Sequence, residues 1–289
     1  MIDTGLKNKV ALITGVNNPH GIGAAIAKAF TTEGAATFVT YLRLSAKGSE
    51  TDVPGEAFYR AQNAKTVDEV VNGIREHGGK IEACEADLSE PTIIPQLFDH
   101  AEKAFGPVDI LVNNAAHCDP DTFIPQSQLG TESRAVDESP LTTITGEKHD
   151  KHFAVNSRAV ALLMAEYARR YIQRGGMWGR IINVSTDGAS GFYSEVSYGA
   201  SKHALESYSR AAASELGKYG ITVNIVSLGP VQTGWIPPEL EKEISSRIPL
   251  QRIGQPKDVA DVVVFLTSEQ ANWVTGQLLY VGGGNVMSL

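Results

Sequence analysis

The sequence predicts an α/β fold in which a doubly wound parallel sheet of about seven strands carries helices on both faces. Three observations lead to this prediction. Apolar runs rich in valine and isoleucine recur along the chain, segments with helical spacing separate them, and 289 residues suffice for one large domain with a fully buried sheet. The runs have the composition of buried parallel strands and cover residues 10–13, 37–41, 81–86, 110–112, 181–184, 223–226 and 278–281.

The segments between these runs carry the spacing of amphipathic helices. Residues 22–30 place apolar side chains at helical intervals, and residues 67–74 do so behind Thr66 and Glu69, which have the spacing of a capping box. Strands that alternate with helices predict right-handed crossovers and a single domain over residues 1–289. Two stretches near 44–64 and 117–150 interrupt the rhythm. Insertions of that length are typical of lids, binding loops or disordered segments.

The composition favours a soluble cytoplasmic protein. The formal net charge is -8 with a pI near 5.4, and the absence of lysine or arginine runs argues against nucleic acid or an anionic membrane as a partner. Cys84 and Cys118 are too few for a disulfide framework and lie in no metal-ligand spacing, so we expect a reducing compartment and no metal site. Residues 1–9 lack the apolar core of a signal peptide, and no apolar run approaches the roughly 20 residues that cross a bilayer.

The most informative stretch is Tyr198-Gly199-Ala200-Ser201-Lys202, which places a phenol and an ammonium group four residues apart. On a helix, residues at this spacing share a face. A lysine beside a tyrosine favours the phenolate, so we expect Lys202 to lower the pKa of Tyr198 toward neutrality. This would suit a general acid for carbonyl reduction, whereas the alternative is a solvated pair on a surface helix.

A glycine-rich turn follows the first predicted strand and leads directly into a helix. Glycine allows a tight turn and a close backbone approach, and the helix N-terminus offers unpaired N–H groups to a pyrophosphate. Strand, turn and helix together are the context of a Rossmann-like dinucleotide site, although the spacing is not the general Gly-x-Gly-x-x-Gly. The residues expected to contact the dinucleotide here are Gly15, Asn17, His20, Gly21, Ile22 and Gly23.

The end of the second predicted strand bears on the choice of dinucleotide. NAD-binding proteins usually place an acid there for the ribose 2′-hydroxyl, but this chain has Tyr41-Leu42-Arg43. Arg43 could pair with a 2′-phosphate, so we expect NADP(H) to be preferred over NAD(H). After the third strand, Asp87 and Leu88 are expected near the adenine. A helix N-cap or turn aspartate is the alternative reading of Asp87.

With these motifs in order, the chain resembles the short-chain dehydrogenase/reductase family over nearly its whole length. Residues 113–116 resemble the family's Asn-Asn-Ala-Gly strand end, residues 228–233 its Pro-Gly-x-x-x-Thr segment, and residues 254–277 its closing pattern. The resemblance implies that the dinucleotide also contacts Asn114, Ala115, Ala116, Tyr198, Lys202, Gly229, Val231 and Thr233.

The chain departs from the family pattern at several positions. Ala116 replaces a glycine, Leu228 a proline and Gly282 an aspartate, which affects the fine geometry near the nicotinamide. Two extra residues lengthen the glycine-rich turn, as in the enoyl-carrier-protein reductases of the same superfamily. Those enzymes space their tyrosine and lysine by six residues, and the position seven before Lys202 is Glu195. Double-bond reduction therefore loses support.

The resemblance also implies catalytic roles. Ser185, thirteen residues before Tyr198, has the family's spacing for the serine that holds the substrate carbonyl oxygen, with Thr186 as the alternative. Asn156 matches the asparagine that bends a helix and holds a water on the proton path. Lys202 would hydrogen-bond the nicotinamide ribose.

Three histidines, His149, His152 and His203, lie in no interpretable constellation, and we expect them at the surface or in loops.

The sequence thus predicts an NADP(H)-dependent oxidoreductase that interconverts a carbonyl and an alcohol, with NAD(H) as the second choice. In pattern it is similar to 3-oxoacyl-carrier-protein reductases, and the substrate would be a small-molecule or acyl-thioester carbonyl. Two alternatives are an enoyl-thioester reductase and a non-catalytic NADPH-sensing regulator. A homo-oligomer, tetramer or dimer, is expected by resemblance. Candidate walls of the substrate pocket are Phe192, Tyr193, Trp235 and Ile236.

Overall fold

A parallel sheet forms the centre of the computed structural model, which describes residues 3–44, 51–130, 133–135 and 139–287. Its strands are β1 (Val10–Thr14), β2 (Ala36–Tyr41), β3 (Lys80–Glu85), β4 (Ile110–Asn113), β7 (Gly179–Thr186), β8 (Ile221–Leu228) and β9 (Leu278–Val281), and a separate pair is formed by β5 (Asp121–Thr122) and β6 (Thr142–Thr143). The seven-stranded sheet has the order β3-β2-β1-β4-β7-β8-β9. Each of the predicted apolar runs is a strand of this sheet, so the predicted fold class is confirmed.

Helices cover both faces of the sheet. They are α1 (Ile22–Thr32), α2 (Glu56–Asn63), α3 (Asp68–Glu76), α4 (Ile93–Phe105), α5 (Gly146–Phe153), α6 (Val160–Gln173), α7 (Val196–Leu216), α8 (Pro238–Arg247) and α9 (Pro256–Thr267). One face carries α1, α3 and α9, and the other carries α4, α6 and α7. Apolar side chains on both faces of the strands are therefore removed from water, which explains the continuous valine and isoleucine runs.

The central strand β1 shows why these runs are apolar along their whole length. All five of its residues are buried. Ile13 pairs with Val39 of β2 on one side and with Val112 of β4 on the other. The chain turns in opposite directions after β1 and after β4, so a crevice opens where these two strands end. The glycine-rich turn lies at this crevice.

The two predicted insertions contain more regular structure than the sequence indicated. The first, near 44–64, contains helix α2, and the second, near 117–150, contains the β5–β6 pair and the start of α5 at Gly146. Thr145 caps α5, because its side chain accepts the N–H of Lys148. The predicted capping box at Thr66 and Glu69 is wrong, since α3 begins at Asp68 and carries no side-chain cap.

Within the part of the chain that the structure describes, no helix combines the length and apolar character needed to cross a bilayer.

One turn of π-helix at Ala154–Ala159 connects α5 to α6. Such turns interrupt the regular hydrogen-bond ladder of a helix and are common at functional sites.

Candidate active site

The phosphate end of the site is the glycine-rich turn and the N-terminus of α1. Gly21 is the N-cap, with no capping side chain, and the first turn of α1 holds no acid. The N–H groups and the positive end of this helix dipole therefore face no competing negative side chain of the helix itself. A diphosphate fits this arrangement, because a helix N-terminus of this kind is a ready anion site.

Close backbone contacts fix the shape of this turn. Gly15 has φ +76°, and a Cβ there would lie 2.8 Å from the Cα of Ala115. A Cβ at Gly23 would lie only 2.3 Å from the carbonyl oxygen of Gly15. Asn114 donates from its amide to the carbonyls of Thr14 and Gly15, at 2.9 Å each. These glycines and Asn114 hold the turn together, and Ala116 is exposed beside it.

Two predicted dinucleotide contacts of the turn touch α2. The side chain of Asn17 is buried and donates to the carbonyl of Asn63 at 2.8 Å. The ring of His20 lies 5.3 Å from that of Phe58, centroid to centroid. Sequence reasoning did not foresee a helix at this position.

The adenosine end differs from the prediction. The sequence suggested that no acid faces the end of β2, but Glu85 of β3 is the register partner of Tyr41 and pairs with Arg43. The Arg43 guanidinium holds Glu85 through Nε at 2.9 Å and Nη2 at 2.8 Å. Residues 41–43 themselves carry no acid, but strand pairing brings a carboxylate from the neighbouring strand. Arg43 therefore already has a carboxylate partner.

Asp87 and Leu88, the predicted adenine contacts after β3, lie in different environments. Asp87 is exposed, and its carboxylate accepts the N–H of Ser89 at 2.8 Å, which is the turn geometry considered as its alternative. The side chain of Leu88 is buried against Leu97 and Ala159. Any contact of Leu88 with a dinucleotide would therefore come from its backbone.

The reacting end is formed by α7 where it crosses the end of β7. Tyr198 and Lys202 lie on this helix as predicted, with Lys202 Nζ 5.8 Å from the centre of the Tyr198 ring. Lys202 is 1% exposed, and its Nζ donates to the carbonyl of Val184 at 2.8 Å. The alternative of a solvated surface pair is therefore wrong for Lys202.

The pKa of Tyr198 is shifted in the direction opposite to the expectation. Burial raises the pKa of Tyr198 well above its ordinary value, and charges on Cys118 and Glu195 raise it further. Burial also lowers the pKa of Lys202 to about 8, against the opposing effects of Cys118 and Glu206. The predicted lowering of the Tyr198 pKa is therefore wrong, because desolvation of the phenol, the largest cause of the shift, acts in the opposite direction.

The two hydroxyls at the end of β7 have different partners. The Ser185 hydroxyl donates to Oε1 of Glu206 at 2.8 Å, and both side chains are buried. The Thr186 hydroxyl oxygen accepts the N–H of Gly188 at 3.3 Å, which leaves its own proton available to an acceptor. To donate to a substrate carbonyl, the Ser185 hydroxyl would first have to break its hydrogen bond with Glu206. The role predicted for Ser185 thus remains a prediction and Thr186 gains support.

Asn156 lies within the π-turn, which explains an asparagine at this point of a helix. Its side chain forms two hydrogen bonds with the backbone of His117, accepting the N–H and donating to the carbonyl, at 2.8 Å each. It also donates to the hydroxyl of Ser201 at 2.9 Å, and that hydroxyl donates to the carbonyl of Tyr198. Asn156 therefore connects the segment after β4 to the catalytic helix.

One of the three histidines contradicts the prediction. His152 is fully buried in α5, where Nδ1 donates to the carbonyl of Lys148 and Nε2 accepts the N–H of Asp119. Its ring lies 4.8 Å from that of His117, and burial lowers the pKa of both rings. His149 and His203 are exposed, as expected.

The segment after β8 approaches the site from the other side. Gly229 packs against Gly282, since a Cβ at Gly229 would lie 2.7 Å from the Gly282 Cα. Val231 is buried, and the carbonyl of Thr233 accepts from the side chain of Asn18 at 3.0 Å. These contacts fasten the segment to the glycine-rich turn.

The predicted pocket walls divide into two groups. The ring of Phe192 lies 6.3 Å from that of Tyr198, and Tyr193 is 81% exposed beside it. Ile236 is fully buried in a small cluster that Trp235 also packs against, so Ile236 is not a pocket wall.

Sequence reasoning missed Glu206 and His117 as residues of this site. Glu206 stands four residues after Lys202, a spacing that places it on the same face of α7, so a sequence signal existed. His117 acts through its backbone, so no motif could have indicated it.

Comparisons with known proteins agree with this geometry. A family model described as enoyl-(acyl carrier protein) reductase matches residues 56–285. A short-chain type dehydrogenase/reductase from Picea abies is 33% identical over 290 residues, covering 97% of this chain and 93% of that protein. NADPH-dependent aldehyde reductase 2 from Arabidopsis thaliana is 35% identical, covering 96% and 94%. The crystal structure of a dehydrogenase/reductase from Sinorhizobium meliloti 1021 has a TM-score of 0.77 at 29% identity, covering 99% and 98%.

Proposed function

Because the chain belongs to the short-chain dehydrogenase/reductase family and is an oxidoreductase of that type, we propose that it reduces a carbonyl to an alcohol with NADPH, using Tyr198 as the general acid. The observation that carries the proposal is the half-buried Tyr198 beside the fully buried Lys202, at the end of the sheet where the glycine-rich turn also lies. A phenol whose pKa is raised stays protonated at neutral pH. In that form it carries the proton that carbonyl reduction consumes, although the raised pKa makes it a weaker acid than a phenol tuned to neutral pH.

Lys202 has a positioning and electrostatic role in this proposal. Its lowered pKa of about 8 still leaves it mainly cationic at neutral pH. Held on the Val184 carbonyl, it has two further N–H groups for hydroxyls of a ribose. A bound nicotinamide would supply the hydride, and the protein would supply orientation and the proton.

The hydroxyl proposed to stabilise the carbonyl oxygen is that of Thr186, in place of that of Ser185. A hydroxyl has one proton to donate, and that of Ser185 is directed at Glu206. Stabilising the developing alkoxide requires a donor aimed at the oxygen. We therefore favour Thr186 as this donor and give Ser185 the task of holding α7 to β7 through Glu206.

Asn156 maintains the path by which Tyr198 would be reprotonated. It ties the backbone of His117 to Ser201, whose hydroxyl lies on the Tyr198 carbonyl. Replacing it would loosen the segment after β4 relative to α7.

The preference for NADP(H) over NAD(H) is part of the proposal. The aldehyde reductase from Arabidopsis thaliana, 35% identical, is named as NADPH-dependent. Arg43 and Glu85 are both partly exposed, and such surface pairs are screened and exchange easily. A 2′-phosphate with its larger negative charge could share or displace Glu85.

We propose a free small-molecule ketone or aldehyde, or an acyl thioester, as the substrate, and a homo-oligomer as the assembly. Phe192 beside Tyr198 and the exposed Tyr193 would offer apolar surface to such a substrate.

Double-bond reduction is the second candidate, favoured by the description of the matching family model. Against it stands Glu195, which occupies the position where the enoyl reductases have their tyrosine. Its carboxylate accepts from the thiol of Cys118 and cannot replace a phenol as the stabiliser of an enolate.

NADPH oxidation with a panel of ketones, aldehydes, acetoacetyl thioesters and enoyl thioesters tests the proposal. We expect oxidation with at least one carbonyl compound and none with enoyl thioesters. Oxidation with enoyl thioesters alone would replace the proposal by the second candidate. Thermal stabilisation by NADPH without oxidation on any panel member would identify a sensor instead of an enzyme.

A further inference from the structure

Helix α2 lies over the glycine-rich turn and is anchored on two sides. The N–H of Gly55, at its start, donates to the carbonyl of Gly234 at 2.8 Å. At its other end, the carbonyl of Asn63 accepts from the side chain of Asn17 and from the N–H of Leu44. The helix thus bridges the segment after β8, the glycine-rich turn and the end of β2. These are the elements between which the proposed dinucleotide would lie.

The buried face of α2 is turned toward that turn. Phe58 and Gln62 are four residues apart on the helix and are 9% and 8% exposed. Phe58 packs against the ring of His20, and a Cβ at Gly234 would lie 2.7 Å from its ring. Gln62 therefore lies on the same face of α2 as the ring that touches the glycine-rich turn.

The carboxamide of Gln62 has an acceptor that the protein does not satisfy. Its Oε1 is buried and has no hydrogen-bond partner among the described residues. Buried polar atoms without a partner are rare in native proteins because they lose their hydrogen bonds to water. This oxygen is closed to solvent, so a ligand with an N–H or O–H group would satisfy it only after α2 has shifted to admit that group.

We propose that α2 is the roof of the dinucleotide site and that the Gln62 carboxamide accepts a hydrogen bond from a ribose hydroxyl or amide N–H of the bound dinucleotide. The inference rests on the proposed function, because it requires that the chain binds a nicotinamide dinucleotide. The diphosphate itself has no donor for Gln62, whereas ribose hydroxyls and the nicotinamide carboxamide do.

Replacing Gln62 by leucine tests the inference through binding and stability together. NADPH affinity, measured by titration of its fluorescence, should weaken about tenfold in Gln62→Leu, as expected for one lost hydrogen bond. The melting temperature without ligand should stay equal or rise, because leucine has a similar size and removes the unsatisfied oxygen. Arg60→Gln, a change on the exposed side of the same helix, should alter neither quantity.

Three results would overturn the inference. The first is an unchanged NADPH affinity in Gln62→Leu. The second is a loss of stability that accompanies the loss of affinity in both Gln62→Leu and Gln62→Met. The third is a rate of amide hydrogen exchange over Gly55–Asn63 that NADPH does not slow. Gln62→Met also serves as the second variant if Gln62→Leu does not fold. A wild-type protein that fails to bind NADPH would refute the proposed function as well. Wild-type binding with an unaffected Gln62→Leu would refute only the role of α2.

Discussion

The phosphate end and the reacting end of this site are built in different ways. At the phosphate end, backbone atoms touch backbone atoms, as where Gly23 leaves only 2.3 Å for a Cβ beside the Gly15 carbonyl. At the reacting end, buried side chains carry the chemistry, and desolvation moves the pKa values of Tyr198 and Lys202. The first end depends on shape and the second on the removal of water.

This difference determines what each end can tolerate. A turn built on close approach fails when any atom is added, but its chemistry does not change with pH. The phenol of Tyr198 and the ammonium of Lys202 can lose single atoms without a clash, yet the protonation of both depends on how completely water is excluded. Substitutions that add an atom should damage the phosphate end, and those that remove a proton donor should damage the reacting end.

Tyr198→Phe should have the largest effect, at the reacting end alone. It removes the proton donor without changing the shape of the side chain, so kcat should fall about 10²- to 10⁴-fold. NADPH binding should stay near the wild-type value. Tyr208→Phe, on the exposed side of the same helix, is the matched control and should remain fully active. Near-normal kcat in Tyr198→Phe would refute the assignment.

The two hydroxyls of β7 offer a second test of the reacting end. Thr186→Val has nearly the same shape and removes the free proton, so kcat should fall about 10²- to 10³-fold, as for an oxyanion donor. Ser185→Ala should lower kcat much less, and Thr186→Ser should restore most of the activity. Steady-state kinetics of the three variants would reverse this assignment if Ser185→Ala were the more damaged enzyme.

The protonation of Lys202 gives a pH-dependent test. Its pKa is lowered to about 8 in the folded protein, so the unfolded chain binds more protons between that pH and the ordinary lysine pKa. The free energy of unfolding should therefore rise with pH across this window. Relative to Lys202→Met, chemical denaturation should show a gain of about 2 kcal/mol between about pH 7.5 and about 9.5. A wild-type protein that runs parallel to Lys202→Met would mean that Lys202 is not desolvated.

Gly23→Ala tests the phosphate end. The added methyl group would collide with the Gly15 carbonyl, so we expect a loss of about 1–3 kcal/mol in the free energy of unfolding and weaker NADPH binding. Gly73→Ala on α3 is the control, since a Cβ there meets nothing within 4 Å. It should be neutral or stabilise the protein, because alanine favours a helix. Equal effects of the two changes in denaturant titrations would contradict a close-packed turn.

The sequence predicted residues at both ends of the site, but it did not predict the pKa values at the reacting end. Gly15, Gly21 and Gly23 were found because a strand, glycines and a helix are local features, and Tyr198 and Lys202 because their spacing is fixed by one helical turn. The raised pKa of Tyr198 could not be predicted from that spacing. It depends on burial by segments that are distant in the chain.

Long-range pairing explains the other differences. Glu85 reaches Arg43 only because β2 and β3 pair in register, and Glu206 of α7 accepts a hydrogen bond from Ser185 of β7 only because the helix packs against that strand. Helix α2 lies in a stretch that carries none of the short motifs of the glycine-rich turn or of α7, so its position over the glycine-rich turn had no signal in the sequence.

Hydride transfer from NADPH deuterated at C4 tests the central claim most directly. With a carbonyl substrate identified by the panel, the wild-type enzyme should place one deuterium on the carbinol carbon of the product, and Tyr198→Phe should form this product at least about a hundredfold more slowly. Mass spectrometry locates the label. Deuterium on the β-carbon of a saturated thioester, or equal product formation by Tyr198→Phe, would contradict carbonyl reduction with Tyr198 as the acid.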